Sequence, residues 1–150
     1  MRPTGTVTFL MSDIEGSTRL LRAMGVDRYE TALQAHRGLL REAFARHAGY
    51  EVGTEGDSFF VAFARAQDAV RAAVDAQSAL GQYAAPDDER IRVRIGIHTC
   101  EAAVSGDNYV GMGMHRTARI SATGHGGQIV LSQTTRDLLQ DGAGMDCLDL

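Results

Sequence analysis

The chain has 150 residues, 44% of them hydrophobic and 23% charged, which suits one globular domain with a real core. A net charge of −4 argues against nonspecific nucleic-acid binding, and no stretch reaches the roughly 20 apolar residues of a membrane helix. The two cysteines, Cys100 and Cys147, form neither a metal-ligand spacing nor a disulfide framework, and Met1-Arg2-Pro3 lacks signal-peptide character, so a reducing cytoplasmic setting is expected.

Residues 5–12 read as a buried strand through Val7, Phe9, Leu10 and Met11, followed by a turn at Asp13–Gly16. Helical periodicity runs from Ser17 to about His47 with a break near Gly25, and Ser17 or Thr18 is the expected N-cap. Leu33, His36, Leu39, Leu40 and Phe44 make its apolar face, and Gly49 is the expected stop. Residues 50–63 read as a hairpin with a tight Gly56-Asp57 turn. An Ala-rich amphipathic helix over 66–80 and a polar loop from Gly81 to Glu89 come next. Residues 91–98 alternate as a half-buried strand, with Ala102–Val104 placed to return antiparallel to it. Residues 105–111 read as loop and Met112–Ser121 as a short helix bearing His115, Arg116 and Arg119. Gly124–Gly127 reads as a turn, Gln128–Leu131 as a strand, and Ser132 as the cap of a last helix. A final strand is expected from Cys147 to Leu150. This order predicts an α+β fold: an antiparallel-rich sheet covered by helices.

Asp13 ends one strand and Asp57 sits at a hairpin tip. If those strands are neighbours, the carboxylates converge, and two carboxylates with a nucleotide's phosphates suffice to hold Mg²⁺. The alternative is two unrelated turn aspartates. Arg119 follows a Gly-flanked loop, where a guanidinium can neutralise charge on a transferred phosphoryl group, or can simply belong to a solvated helix face. His115 lies one turn earlier on the same face. Gly124–Gly127 lacks the spacing of a phosphate-binding loop.

Five ordered segments then resemble one family. They are Thr8–Thr18 with its Asp-Ile-Glu-Gly-Ser-Thr, Glu55-Gly56-Asp57-Ser58-Phe59-Phe60, Arg94-Ile95-Gly96-Ile97-His98-Thr99, the stretch from Tyr109-Val110-Gly111 to Ala118-Arg119-Ile120, and Gly127–Ser132. Together they are similar to the class III adenylate/guanylate cyclase catalytic domain, closest to its bacterial, mycobacterial-type branch. The resemblance implies a ferredoxin-like core working as a head-to-tail homodimer, or as a heterodimer with another cyclase domain. It also implies nucleotide sites shared between the two chains. Asp13 and Asp57 would bind two Mg²⁺ or Mn²⁺ ions per site, and backbone around Ile14, Glu15 and Gly16 would hold the triphosphate. The purine-reading positions of the partner fall on Gly53 and Asn108, and the transition-state pair falls on His115 and Arg119. The reaction implied is conversion of ATP, or GTP, to the 3′,5′-cyclic nucleotide and pyrophosphate.

Several positions depart from the family pattern. Gly53 replaces a lysine, Asn108 an aspartate or threonine, His115 an asparagine, and Cys100 a glycine. The family's triphosphate-binding lysine falls beyond Leu150, so the single domain 1–150 would lack the last C-terminal strands. Weak adenylate cyclase activity with loose purine selectivity is therefore expected. The alternative is a degenerate, non-catalytic cyclase-homology module that binds nucleotide or a partner domain for regulation.

Overall fold

The structure is a computed structural model that describes residues 2–139 and 147. Seven strands are present among them: β1 (Thr6–Ile14), β2 (Tyr50–Glu55), β3 (Ser58–Phe63), β4 (Val93–Glu101), β5 (Ala103–Ser105), β6 (Asn108–Val110) and β7 (Ile129–Leu131). Helices α1 (Ser17–Met24), α2 (Val26–Arg46), α3 (Ala66–Gln82), α4 (Met112–Ala122) and α5 (Gln133–Asp137) connect them, with one 3₁₀ turn at Asp87–Glu89. Five strands form a sheet in the order β2-β3-β1-β4-β7, antiparallel except for the parallel β4–β7 edge. The α+β, antiparallel-rich expectation is met.

The alternation of β1 and β4 sorts their side chains onto two faces. Leu10 and Ile14 join Ile95, Ile97, Phe59, Val61 and Phe63 against the apolar faces of α2 and α3, forming the main core. The opposite face carries Val7 and Phe9 with Ala62 and Tyr109, and Phe9 meets Tyr109 edge-on at 5.1 Å between ring centres. Over this second face lies α4, whose Ser121 backbone rests on Gly96, where a Cβ would stand 2.6 Å from the Ser121 Cα. Glycine at position 96 is thus a requirement of close approach.

Several local expectations are corrected. No side chain caps α1; Gly16 occupies its N-cap with φ 66°, so Ser17 is the first helical residue and Thr18 the second. The helix break at Gly25 does separate α1 from α2. At the end of α2 the left-handed residue is Ala48 (φ 60°), not Gly49. Gly49 is needed one position later for space, because a Cβ there would sit 2.9 Å from the Phe63 ring and 3.0 Å from the Phe44 carbonyl. Residues 103–105 do not return along β4. They pair with 108–110, inside the stretch expected to be loop, so β5 and β6 form a separate two-stranded ribbon. Ser132 does cap α5, accepting from the Thr135 amide at 3.2 Å. The strand expected at Cys147–Leu150 lies outside the described residues apart from Cys147. No helix among the described residues is long and apolar enough to cross a membrane.

Candidate functional site

Whether the two aspartates meet depends on register. β1 and β3 are antiparallel neighbours with Ser12 opposite Phe59, so the end of β1 and the β2–β3 turn that carries Asp57 lie at the same end of the sheet. On the other side of β1, Asp13 is the register partner of Arg94 on β4. Arg94 grips the carboxylate with both arms, Nε donating to Oδ1 at 3.2 Å and Nη2 to Oδ2 at 2.8 Å. Both side chains are about three-quarters buried, with 29% of Arg94 and 26% of Asp13 exposed. The guanidinium is held above its ordinary range, first by the hydrogen bonds to Asp13 and also by the charges of Asp13, Glu15 and Asp57, with burial opposing. Asp13 alone contacts this guanidinium, while Glu15 and Asp57 act on it only through their charge.

The acidic turn is secured from behind. Arg37 of α2 donates from Nη2 to the Gly56 carbonyl at 2.5 Å. Tyr29, also on α2, is raised above its ordinary range mainly by burial and next by the Asp57 charge. The Asp57 carboxylate itself carries no hydrogen bond or ion pair among the described residues.

The turn at Ile14–Gly16 is partly committed to the fold. Ile14 is buried in the core, and the Glu15 amide donates to the Arg92 carbonyl at 2.9 Å. The Glu15 carboxylate accepts from the Gly126 amide at 3.0 Å, tying this turn to the 124–127 loop. With no side-chain cap on α1, the first-turn amides from Ser17 onward remain available for an anion.

The remaining predicted residues stand elsewhere. On α4 the buried side is Thr117 and Ser121, while His115, Arg116 and Arg119 are exposed. His115 and Arg119 make no hydrogen bond or ion pair among the described residues. Arg116 is turned differently: its charge bears on His98 and Cys100, although burial is the larger cause in lowering the imidazole and raising the thiol. Asn108 is exposed on β6, and Gly53 is exposed on β2 just past a register shift, with open space around it. The structure pairs Asp13 with Arg94 and sets the Asp57 turn at the same end of the sheet. It joins none of Gly53, Asn108, His115 or Arg119 to that group by a hydrogen bond or ion pair.

Arg94 is the residue that sequence reading passed over. It appeared only as a letter within a motif, and its role follows from a strand register that the motif does not state. The alternation of Arg92 and Arg94 along a half-buried strand was the available signal.

Residues 1–149 match the family model for the adenylate and guanylate cyclase catalytic domain. An uncharacterized protein of Mycobacterium tuberculosis is 43% identical over 139 residues, covering 91% of this chain and 46% of that protein. The chain therefore spans less than half the length of that relative. Among solved structures, an adenylate cyclase of Trypanosoma brucei in its monomeric state superposes with a TM-score of 0.86 at 26% identity, over 95% of this chain and 79% of the other. An adenylate/guanylate cyclase/hydrolase of Silicibacter pomeroyi gives 0.79 at 29% identity, over 91% and 80%.

Proposed function

The chain belongs to the adenylate and guanylate cyclase catalytic-domain family, and within it we propose that this single domain converts ATP to 3′,5′-cyclic AMP and pyrophosphate at sites shared between two copies. One observation carries the reading. Asp13, held by Arg94, stands at the sheet end that also carries the Asp57 turn, while His115 and Arg119 make no hydrogen bond or ion pair among the described residues on the outer face of α4. A residue set divided in this way suits a second chain supplying the missing half. Exposed apolar side chains at Val104, Val110 and Met112, 40%, 46% and 55% accessible, give such a partner a surface to cover.

The donor set fits Mg²⁺ or Mn²⁺. Asp13 and Asp57 are hard oxygen ligands, and among the described residues no cluster of three or more His, Cys, Asp or Glu side chains could hold a metal alone. That leaves coordination positions for triphosphate and water, as such ions prefer. When bound, two such ions supply a clamp on the attacking and leaving oxygens. The chain's own residues do the rest. Asp13 and Asp57 would hold the ions that the triphosphate binds, and Arg94, once loosened from Asp13, neutralises phosphate charge. The open amides of α1 receive phosphate oxygens. From the partner, His115 donates a hydrogen bond that orients the ribose, and Arg119 faces the charge that develops as the 3′-hydroxyl attacks the α-phosphate.

Gly53 offers no side chain to the purine and Asn108 offers a neutral amide, so selection for ATP over GTP is loose and turnover is slow. The nucleotide substrate and the free thiols Cys100 and Cys147 accord with a cytoplasmic setting. The bidentate hold of Arg94 on Asp13 also favours a second reading, a non-catalytic module that binds nucleotide for regulation. Purified protein incubated with Mn²⁺ and ATP or GTP separates the two. The enzymatic reading expects cyclic nucleotide from the wild type and none from Asp13→Ala; nucleotide binding with no product above that control would establish the regulatory reading instead. Gly53→Lys, Asn108→Asp and His115→Asn together are expected to raise turnover.

A further inference from the structure

Residues 1–150 contain no lysine: all 15 of their Lys or Arg positions are arginine. Any permanently charged side-chain cation that they bring to a triphosphate is therefore a guanidinium. Arg94 is engaged, held by both oxygens of Asp13. Arg19, in the first turn of α1, makes no hydrogen bond or ion pair among the described residues.

Helical side chains lean toward the N-terminus of their helix, and Arg19 is folded back over Gly16, the left-handed N-cap. A Cβ at Gly16 would stand 3.4 Å from its Nη2, 3.6 Å from Nε and 3.8 Å from Cζ. The guanidinium thus sits over the turn that follows Asp13, beside the uncapped amides of α1. This placement is adverse in the free protein. A helix N-terminus carries positive partial charge, which favours anions and disfavours an arginine. The first turn of α1 has no acidic residue to compensate. Glu15, the nearest carboxylate in sequence, accepts from the Gly126 amide instead. Arg19 is exposed and has water to extend into, yet it lies back where two positive features already meet. A polyphosphate is an anion with the charge and the number of oxygens to answer all three.

We propose that Arg19 is a further substrate-binding residue, gripping the terminal phosphates of the nucleotide from the same chain that supplies Asp13. The proposal rests on the nucleotide site described under the proposed function and adds to it a cation from the α1 side. Its test needs no turnover.

The protein is titrated by calorimetry, in the presence of Mn²⁺, with 3′-deoxy-ATP, which lacks the attacking hydroxyl and is not cyclised. Arg19→Ala is expected to bind it about tenfold more weakly than the wild type, the worth of one charge-assisted hydrogen bond. Arg22→Ala removes the same charge one turn further along α1 and should leave the affinity close to the wild-type value. Without nucleotide, Arg19→Ala should unfold in urea at the wild-type midpoint or above it, because the substitution relieves the clash with the helix dipole. The proposal is overturned if Arg19→Ala binds as tightly as the wild type, if Arg22→Ala loses as much, or if Arg19→Ala lowers the urea midpoint. A wild type that binds 3′-deoxy-ATP no better than Asp13→Ala does would overturn the nucleotide site itself, and this proposal with it.

Discussion

Arg94 holds both oxygens of Asp13, so anything that binds this carboxylate must first loosen the pair. Hydrogen bonds to charged groups are worth about 1.5–3 kcal/mol when buried, and less where water reaches them. Arg94→Met should therefore tighten Mn²⁺ binding in the absence of nucleotide by up to about tenfold, read by titration calorimetry, while cyclase turnover falls. Unchanged affinity would mean that Arg94 does not restrain Asp13. His36 gives a second prediction at this scale. Its folded pKa of about 4 lies below the ordinary 6.5, so the unfolded chain binds a proton first as pH falls. Stability from this group is complete above about pH 6.5 and drains away between there and pH 4, by on the order of 3 kcal/mol. Urea unfolding at pH 7 and pH 4.5 should show His36→Phe losing less stability than the wild type over that interval; equal losses would contradict the assignment. The helical spacing of Leu33, His36 and Leu40 made the burial of His36 legible in the sequence. Its packing against Phe59 was not legible, because that depends on how β3 is set beneath α2.

Among the elements, α4 depends on a contact that a single methyl group would destroy. A Cβ at Gly96 would run into the Ser121 backbone, which a rigid strand packed beneath a helix has little room to relieve. Gly96→Ala is expected to cost about 3 kcal/mol in urea unfolding and to shift the amide signals of α4, including those near His115 and Arg119. A neutral effect would show that helix and strand can separate freely. The acidic hairpin was readable because Gly56-Asp57 lies between β-rich runs, and the helices because their apolar positions keep the 3.6-residue period. The β5–β6 ribbon was missed because its strands, Ala103–Ser105 and Asn108–Val110, are three residues long and leave few buried positions to reveal alternation. The end of α2 misled for a different reason: Gly49 answers to the Phe63 ring, and the left-handed conformation fell to Ala48.

At the scale of the whole molecule, the five motif segments placed the fold and family almost throughout the chain, while the convergence of Asp13 and Asp57 needed strand order. The sheet order β2-β3-β1-β4 makes β1 and β3 neighbours and so sets the end of β1 and the acidic hairpin turn at the same end of the sheet. The division of labour between Asp13 and Arg119 is the central claim, and a mixing experiment addresses it most directly. Asp13→Ala and Arg119→Ala proteins are each assayed with Mn²⁺ and ATP, alone and then combined in equal amounts. Shared sites predict little product from either protein alone and recovery to about a quarter of wild-type activity in the mixture, since half the random dimers carry one intact site of two. A wild type that forms cyclic nucleotide, beside a mixture that stays as inactive as its components, would contradict a site built from two chains.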